Sequence, residues 1–270
     1  MYAVRSLPAS HTVARAAARR EFLSHRLNRF LHAHVLLVLV AGFLPLLTPG
    51  DSLARGASWW LLHAVLYAVS LSTLLLGLSS AQAEAEEFTW LVGLPSGIGP
   101  WLTGKAVALV TIVVAAAGLL ALPTVFLSGG SSELLVAAFG AAGVSAVCSL
   151  AGLAIGLWIR DQVRGLIVAV AVWFVFLFGT DLLLIAVAGG SATQEHPDLW
   201  VAALMANPLD AFRITVVFSV ERAAFSGLDA GSLTQWWIAH STLWLTIIFA
   251  LWASVSSVLA WLGARRQVDG

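Results

Sequence analysis

Residues 166–188 read LIVAVAVWFVFLFGTDLLLIAVA, and Asp181 is the only charged residue among them. A helix of this length rises roughly 34 Å at 1.5 Å per residue, which is enough to cross the ~30 Å hydrocarbon core of a bilayer. A stretch this long and this apolar therefore predicts a membrane-spanning helix.

Five further stretches of the chain share this character, at about 31–47, 59–79, 106–127, 134–158 and 236–262. The composition agrees, because only 10% of the 270 residues are charged while 60% are hydrophobic, and the mean hydropathy is +0.92. A soluble domain carries about 25% charged residues, so this chain lacks the polar side chains to cover itself in water. The sequence predicts one all-α integral membrane domain over residues 1–270, with six transmembrane helices and the lipid bilayer as solvent.

Lysine and arginine predict the orientation, because cytoplasmic segments carry an excess of both. With both termini in the cytoplasm, the inner segments hold eleven basic residues and the outer segments hold three (Arg55, Arg213 and Arg222). The formal net charge is zero, which gives no reason to expect a nucleic-acid partner.

The N-terminal part, from about residue 12 to 30, predicts an amphipathic helix. Leu23, Leu27, Phe30 and Leu31 recur at helical spacing, and arginines occupy much of the remainder. Such a helix can lie in the membrane interface. The alternative is that it simply extends the first span into water.

The inner loop between spans 2 and 3, from about Ser80 to Lys105, carries an acidic and aromatic patch. We expect a short cytoplasmic coupling helix here that presses into a groove of a cytoplasmic partner, and the alternative is a solvated loop. The residues of this patch are Glu84, Glu86, Glu87, Phe88 and Trp90.

The outer connection between spans 5 and 6, about residues 189–235, is too apolar to be disordered. We expect an outer helical hairpin there, with short helices at or dipping into the interface and joined at Pro208. Asn207 and Asp210 suit the start of a helix around this proline, and docking of a partner is the alternative role for both.

Asp181 is the strongest single candidate for a functional residue, since inserting an acid at this depth of the membrane costs about 2.5–3.5 kcal/mol on insertion scales. It should face the bundle interior, a cavity or an interface rather than lipid. Its role is either a proton or substrate contact or a hydrogen bond between helices. We expect no second titratable residue to converge with it at the same depth.

The motif search gives no catalytic residues, no metal site and no bound cofactor. The chain contains no P-loop, no H-E-x-x-H and no G-x-S-x-G. His32 and His34 lie two residues apart and do not share a helix face. Glu86 and Glu87 are similar to the glutamate pair of CAAX-type membrane proteases, but Leu91 stands where that family has an arginine. We therefore predict that the chain is not an enzyme.

Three stretches resemble the ABC-2 class of transporter permeases and, within it, the permease of the Nos type, which serves maturation of nitrous oxide reductase. One comprises EEFTWL at 86–91, LPS at 94–96 and Gly104-Lys105, similar to the coupling region of the class. The others are VWFVFLFGTDLLL at 172–184 and NPLDAFR at 207–213, which resemble an aromatic run ending in an intramembrane aspartate and an N-P-x-D-x-F-R segment.

The resemblance implies a homodimer in the bacterial inner membrane, bound to two cytoplasmic ABC ATPase subunits and a periplasmic accessory protein. ATP and Mg would sit on the partner ATPase. It also implies coupling through the acidic patch, and a gate or partner-docking site formed by Asp181, Asn207, Pro208, Asp210, Phe212 and Arg213. The function implied is substrate export or remodelling of the periplasmic partner during copper–sulfur centre maturation.

Two alternative functions remain open at this point. The chain could be a generic ABC-2 exporter of another cargo, which would need a continuous polar cavity along the dimer axis. It could instead be a mechanotransmitter or assembly scaffold that moves no substrate and has a dry axis.

Overall fold

A computed structural model describes residues 10–26, 28–47, 53–83, 97–127, 131–187, 197–221 and 231–269. Throughout these ranges the regular structure is helical, with no strand. Six of the helices are long and apolar enough to cross a membrane, which indicates a multi-pass membrane protein. We call them spans 1 to 6, and they comprise Arg29–Leu47, Gly56–Ala83, Ile98–Phe126, Ser132–Trp158, Gln162–Ala186 and Leu233–Gln267.

Three further helices complete the described fold. Helix α1 (Ser10–His25) precedes span 1. Helices α2 (Pro197–Ala206) and α3 (Pro208–Val220) lie between spans 5 and 6 and are bent by 110° relative to each other. The two short helices predicted to join at Pro208 are therefore present as α2 and α3.

Spans 2 and 4 form the centre of the bundle and approach each other through glycine. A Cβ added to Gly152 of span 4 would lie 1.9 Å from the carbonyl oxygen of Leu74, and one added to Gly77 of span 2 would lie 2.0 Å from that of Ser149. Small residues allow backbones this close in membrane helix pairs, where dispersion contacts replace the hydrophobic effect. These two glycines therefore permit the close packing of spans 2 and 4.

Both ends of the described chain lie at the same end of the bundle. The Ser80 hydroxyl at the end of span 2 donates to Glu21 of α1. The Gln267 side chain donates to the carbonyl of Leu157 at the end of span 4. This arrangement follows from an even number of spans, and we call it the α1 end.

Helix α1 differs from the amphipathic helix predicted from the sequence. It stops at His25, and Asn28 caps the next helix by accepting a hydrogen bond from the backbone N–H of Phe30. Its buried face is formed by Ala17, Glu21 and His25, whereas Leu23 is exposed. Phe30, now in span 1, is also exposed. The interfacial role of its apolar residues stays a prediction, while α1 packs against span 3 through small residues, with Ala14 beside Gly104; Leu27 lies outside the described residues.

The inner loop is shorter than the predicted range of Ser80 to Lys105. Span 2 continues to Ala83, and span 3 begins at Ile98 directly after Gly97, whose φ of 73° suits glycine. Lys105 is therefore a helical residue with a buried side chain and not part of a loop.

Candidate functional site

Asp181 of span 5 binds Arg213 of α3 through a bidentate ion pair. Nη1 and Nη2 of Arg213 donate to Oδ2 and Oδ1 of Asp181, each over 2.8 Å. The planar guanidinium matches a carboxylate in this geometry, which makes it one of the stronger polar contacts in proteins. Asp181 thus satisfies its charge by contacting another helix, as an acid within a span requires.

The same guanidinium also binds a second carboxylate. Nη2 of Arg213 lies 2.9 Å from Oδ1 of Asp210, one turn earlier in α3. The side chain of Asp210 is 3% exposed, whereas those of Asp181 and Arg213 are 36% and 30% exposed. The expectation that no titratable residue converges with Asp181 is therefore wrong, because the bend before α3 brings Asp210 and Arg213 beside span 5.

Asn207 joins the bend to span 5. Its Oδ1 accepts from the backbone N–H of Leu209 (3.0 Å), which caps the start of α3, and Pro208 needs no partner there because it has no N–H. Its Nδ2 lies 2.7 Å from the Phe176 carbonyl, 3.0 Å from the Thr180 hydroxyl and 2.8 Å from Oδ2 of Asp210. Asn207 is therefore both the predicted cap and a bridge between helices.

Phe176 lies in a short π-helical segment, Val175–Gly179, which interrupts span 5 next to this bridge. Such segments occur frequently at functional sites. A second one, Ala64–Val69, interrupts span 2, and Ser70 just after it accepts a hydrogen bond from Trp173 Nε1 of span 5 over 2.9 Å. The irregular turns of spans 2 and 5 are thus connected to each other.

Phe212 holds α3 against span 4. Its side chain is fully buried, and a Cβ added to Gly140 would lie 2.1 Å from its ring. We name Asp181, Asn207, Asp210 and Arg213 the polar cluster; Pro208 and Phe212 position it. All six residues predicted for a gate or docking site thus lie together, although no sequence pattern indicated that Asp181 and Arg213 bind each other.

The sequence reasoning missed a second cluster at the α1 end. Glu21 Oε2 accepts from Nζ of Lys105 over 2.7 Å, and Glu21 also accepts from the Ser80 hydroxyl. Nε2 of His25 lies 2.9 Å from Oε1 of Glu21. Both Glu21 and Lys105 are 2% exposed, so this pair ties α1 to spans 2 and 3 inside the protein. One feature of the sequence could have indicated this second cluster: Glu21 is the only acidic residue among the first thirty residues.

The ionised form of Glu21 is favoured by its surroundings. Burial raises the pKa of its carboxyl, but hydrogen bonds from His25, Lys105 and Ser80 and the charge of Lys105 outweigh burial and lower the pKa to about 2. Because this is below its usual range, the folded state binds the proton less readily than the unfolded state. The resulting stability is fully present above a pH of about 4.5 and is lost as pH falls towards about 2.

We expect Glu21→Gln to lower the free energy of unfolding by about 2 kcal/mol at neutral pH, because Lys105 keeps its buried charge and loses its carboxylate. Thermal unfolding in detergent at pH 7 and pH 3 measures this effect. The difference between wild type and variant should shrink at pH 3, because unfolded wild type then takes up a proton at Glu21 and folded wild type does not, which lowers wild-type stability. A difference that is equal at both pH values would contradict the assignment, and the double variant with Lys105→Met should recover part of the loss.

The predicted coupling residues cannot be placed in this arrangement. Glu84, Glu86, Glu87, Phe88 and Trp90 lie outside the described residues. Ser80 and Lys105 flank that segment in sequence, and both contact Glu21.

Three histidines of the described chain form hydrogen bonds that do not involve the polar cluster. His63 and His240 each bond a carbonyl one turn earlier in their own helix, over 2.7 Å to Trp59 and 3.0 Å to Trp236. His34 is buried and bonds the Ser72 hydroxyl over 2.8 Å. Within the described ranges, no group of three or more His, Cys, Asp or Glu residues could hold a metal ion.

Comparison with known proteins assigns no relationship: no family model matches the chain, and no curated protein matches it.

Proposed function

We propose that this protein is the membrane-spanning permease subunit of an ABC transporter of the ABC-2 class. The observation that supports this most is the polar cluster. The two stretches that carry the resemblance, 172–184 and 207–213, meet there through the contacts of Asp181 with Arg213 and of Asn207 with Phe176 and Thr180.

In this proposal the bundle has two states, and nucleotide bound to the partner ATPases biases their equilibrium. The acidic patch of Glu84, Glu86, Glu87, Phe88 and Trp90 contacts the ATPases and passes their motion to the spans. The polar cluster acts as the gate or the docking site for the accessory protein, because its ion pairs join span 5 to α3 and can form or separate as the two elements move.

The finer proposal is a Nos-type homodimer in a bacterial inner membrane, with both termini cytoplasmic. It binds two ATPase subunits, which hold ATP and Mg, and a periplasmic accessory protein. Its work is export of a substrate or remodelling of that partner during maturation of the copper–sulfur centre of nitrous oxide reductase.

The second candidate is a mechanotransmitter or assembly scaffold. It would have a dry dimer axis in place of the continuous polar cavity that export needs. The remaining alternative is a generic ABC-2 exporter that carries another cargo.

Reconstituted ATPase activity tests the proposal. The chain is purified from its native membranes in mild detergent, and a co-purifying ATPase is assayed in lipid nanodiscs with and without it. We expect Glu86→Ala with Glu87→Ala to reduce stimulation about fivefold or more, as a coupling free energy of 1–3 kcal/mol implies. Glu133→Ala, at the start of span 4, is the control acid. Unchanged stimulation in the double variant, or no ATPase partner, would refute this function.

A further inference from the structure

A long apolar groove runs between spans 3, 4 and 6, on a part of the surface that the polar cluster does not use. Its volume is about 650 Å³. Leu102, Leu150, Leu153 and Ala260 form its buried floor, and Val107 and Trp261 stand exposed on its sides. All three walls belong to spans, so the groove lies in the part of the protein that the bilayer surrounds.

The hydroxyl groups that line the groove are already satisfied within their own helices. Thr103, Thr111 and Ser257 donate to carbonyls one turn earlier, over 2.9, 2.7 and 2.7 Å. These walls therefore offer a ligand mainly apolar contact, which suits a hydrocarbon chain better than a polar solute.

The length of the groove suits a single acyl chain. From Gly99 to Thr111 its wall rises roughly 18 Å along span 3, close to half of the ~30 Å hydrocarbon core. That is the length available to the acyl chain of one leaflet.

A positive charge is held at the α1 end of the groove. The guanidinium carbon of Arg265 lies 4.1 Å from the centroid of the Trp261 ring, so the indole that lines the groove also orients the arginine. Arg265 is exposed, and a guanidinium binds phosphate readily. Tryptophan and arginine at the end of a span are placed where lipid headgroups lie.

We propose that this groove binds one anionic phospholipid, with an acyl chain along spans 3, 4 and 6 and the headgroup phosphate on Arg265. The site is independent of the transporter proposal. Anionic rather than zwitterionic lipid is preferred, because the headgroup then brings net negative charge to the arginine.

Lipid retention tests this site with two matched pairs of variants. The full chain is exchanged into nanodiscs of mixed phosphatidylglycerol and phosphatidylcholine, re-extracted in mild detergent, and its bound phospholipid is quantified by mass spectrometry. Val110→Trp fills the groove, whereas Val114→Trp adds the same bulk one turn beyond it. Arg265→Gln removes the charge at the groove. Arg266→Gln removes a charge outside the groove, because the guanidinium carbon of Arg266 lies 5.5 Å from the centroid of the Trp158 ring.

We expect about one phospholipid per chain in wild type and about a tenfold loss in Val110→Trp, as 1.4 kcal/mol implies. Arg265→Gln should reduce the preference for phosphatidylglycerol about fivefold, since one arginine near the surface contributes about 1 kcal/mol. Equal retention in both tryptophan variants, equal headgroup preference in both glutamine variants, or a change only in oligomeric state would overturn the proposal. If Val110→Trp fails to fold, a phospholipid with a photoreactive acyl end should label wild type near residues 99–111, and even labelling of all spans would refute the site.

Discussion

Replacing Arg213 with methionine is expected to lower the free energy of unfolding by about 4 kcal/mol, because two carboxylates lose the guanidinium that binds them both. Asp210 is buried and Asp181 lies within a span, so neither can exchange this partner fully for water. Methionine keeps the bulk and apolar contacts of the side chain, so the loss reports on the charge. Unfolding of the purified chain in mixed micelles, followed by circular dichroism as the denaturing detergent increases, measures it.

Three companion variants separate the ion pairs from general damage. Arg213→Lys keeps the charge but not the bidentate geometry and should fall between wild type and methionine. Asp181→Asn combined with Arg213→Met should cost less than the sum of the two single changes, because the pair is already broken. Arg164→Met removes an exposed arginine and should leave stability nearly unchanged. A loss below about 1 kcal/mol in Arg213→Met would show that the cluster does not stabilise the fold.

Gly152→Val should destabilise the bundle by at least about 3 kcal/mol, because the added side chain meets backbone and cannot be accommodated by a rotamer change. The first added atom would already lie 1.9 Å from the Leu74 carbonyl oxygen. Spans 2 and 4 would have to separate, which exposes the centre of the fold. The yield of monodisperse protein and the same detergent unfolding measure the effect.

Gly118 of span 3 supplies the matched control, since a Cβ there meets nothing within 4 Å. Gly118→Val should therefore fold normally, and Gly152→Ala should lie between the two because its one methyl group already clashes. Similar stability for the valine variants at 118 and 152 would contradict the packing of spans 2 and 4.

The six spans could be predicted because hydropathy depends only on local composition. The ends of the spans could not be predicted in this way. Hydropathy places the charged Lys105 in a loop, whereas in the structure Lys105 lies in span 3 and forms an ion pair with Glu21. The face of α1 that packs against span 3 could not be predicted from hydropathy either, because it includes Glu21. An alanine stripe of Ala14 and Ala17 continued by Glu21 indicates close packing onto another helix, and only the partner lysine explains the acid.

The residues of the polar cluster could be named from the sequence, but their pairing could not. Asp181 belongs to a span, whereas Arg213 lies in a segment that the sequence assigned to the outer connection. The 110° bend at Asn207 and Pro208 brings α3 beside span 5, and no local pattern encodes that direction. The cap at Asn207 was predictable because it involves only Leu209, two residues away.

The order in which the chain is synthesised sets a condition on how this membrane domain is made. Asp181 leaves the ribosome 32 residues before Arg213, so span 5 is complete while its acid still lacks a counter-ion. Entry into lipid at that stage costs about 2.5–3.5 kcal/mol, which the finished protein avoids. Emergence of α3 removes this cost, so span 5 and α3 mature as one unit of biogenesis.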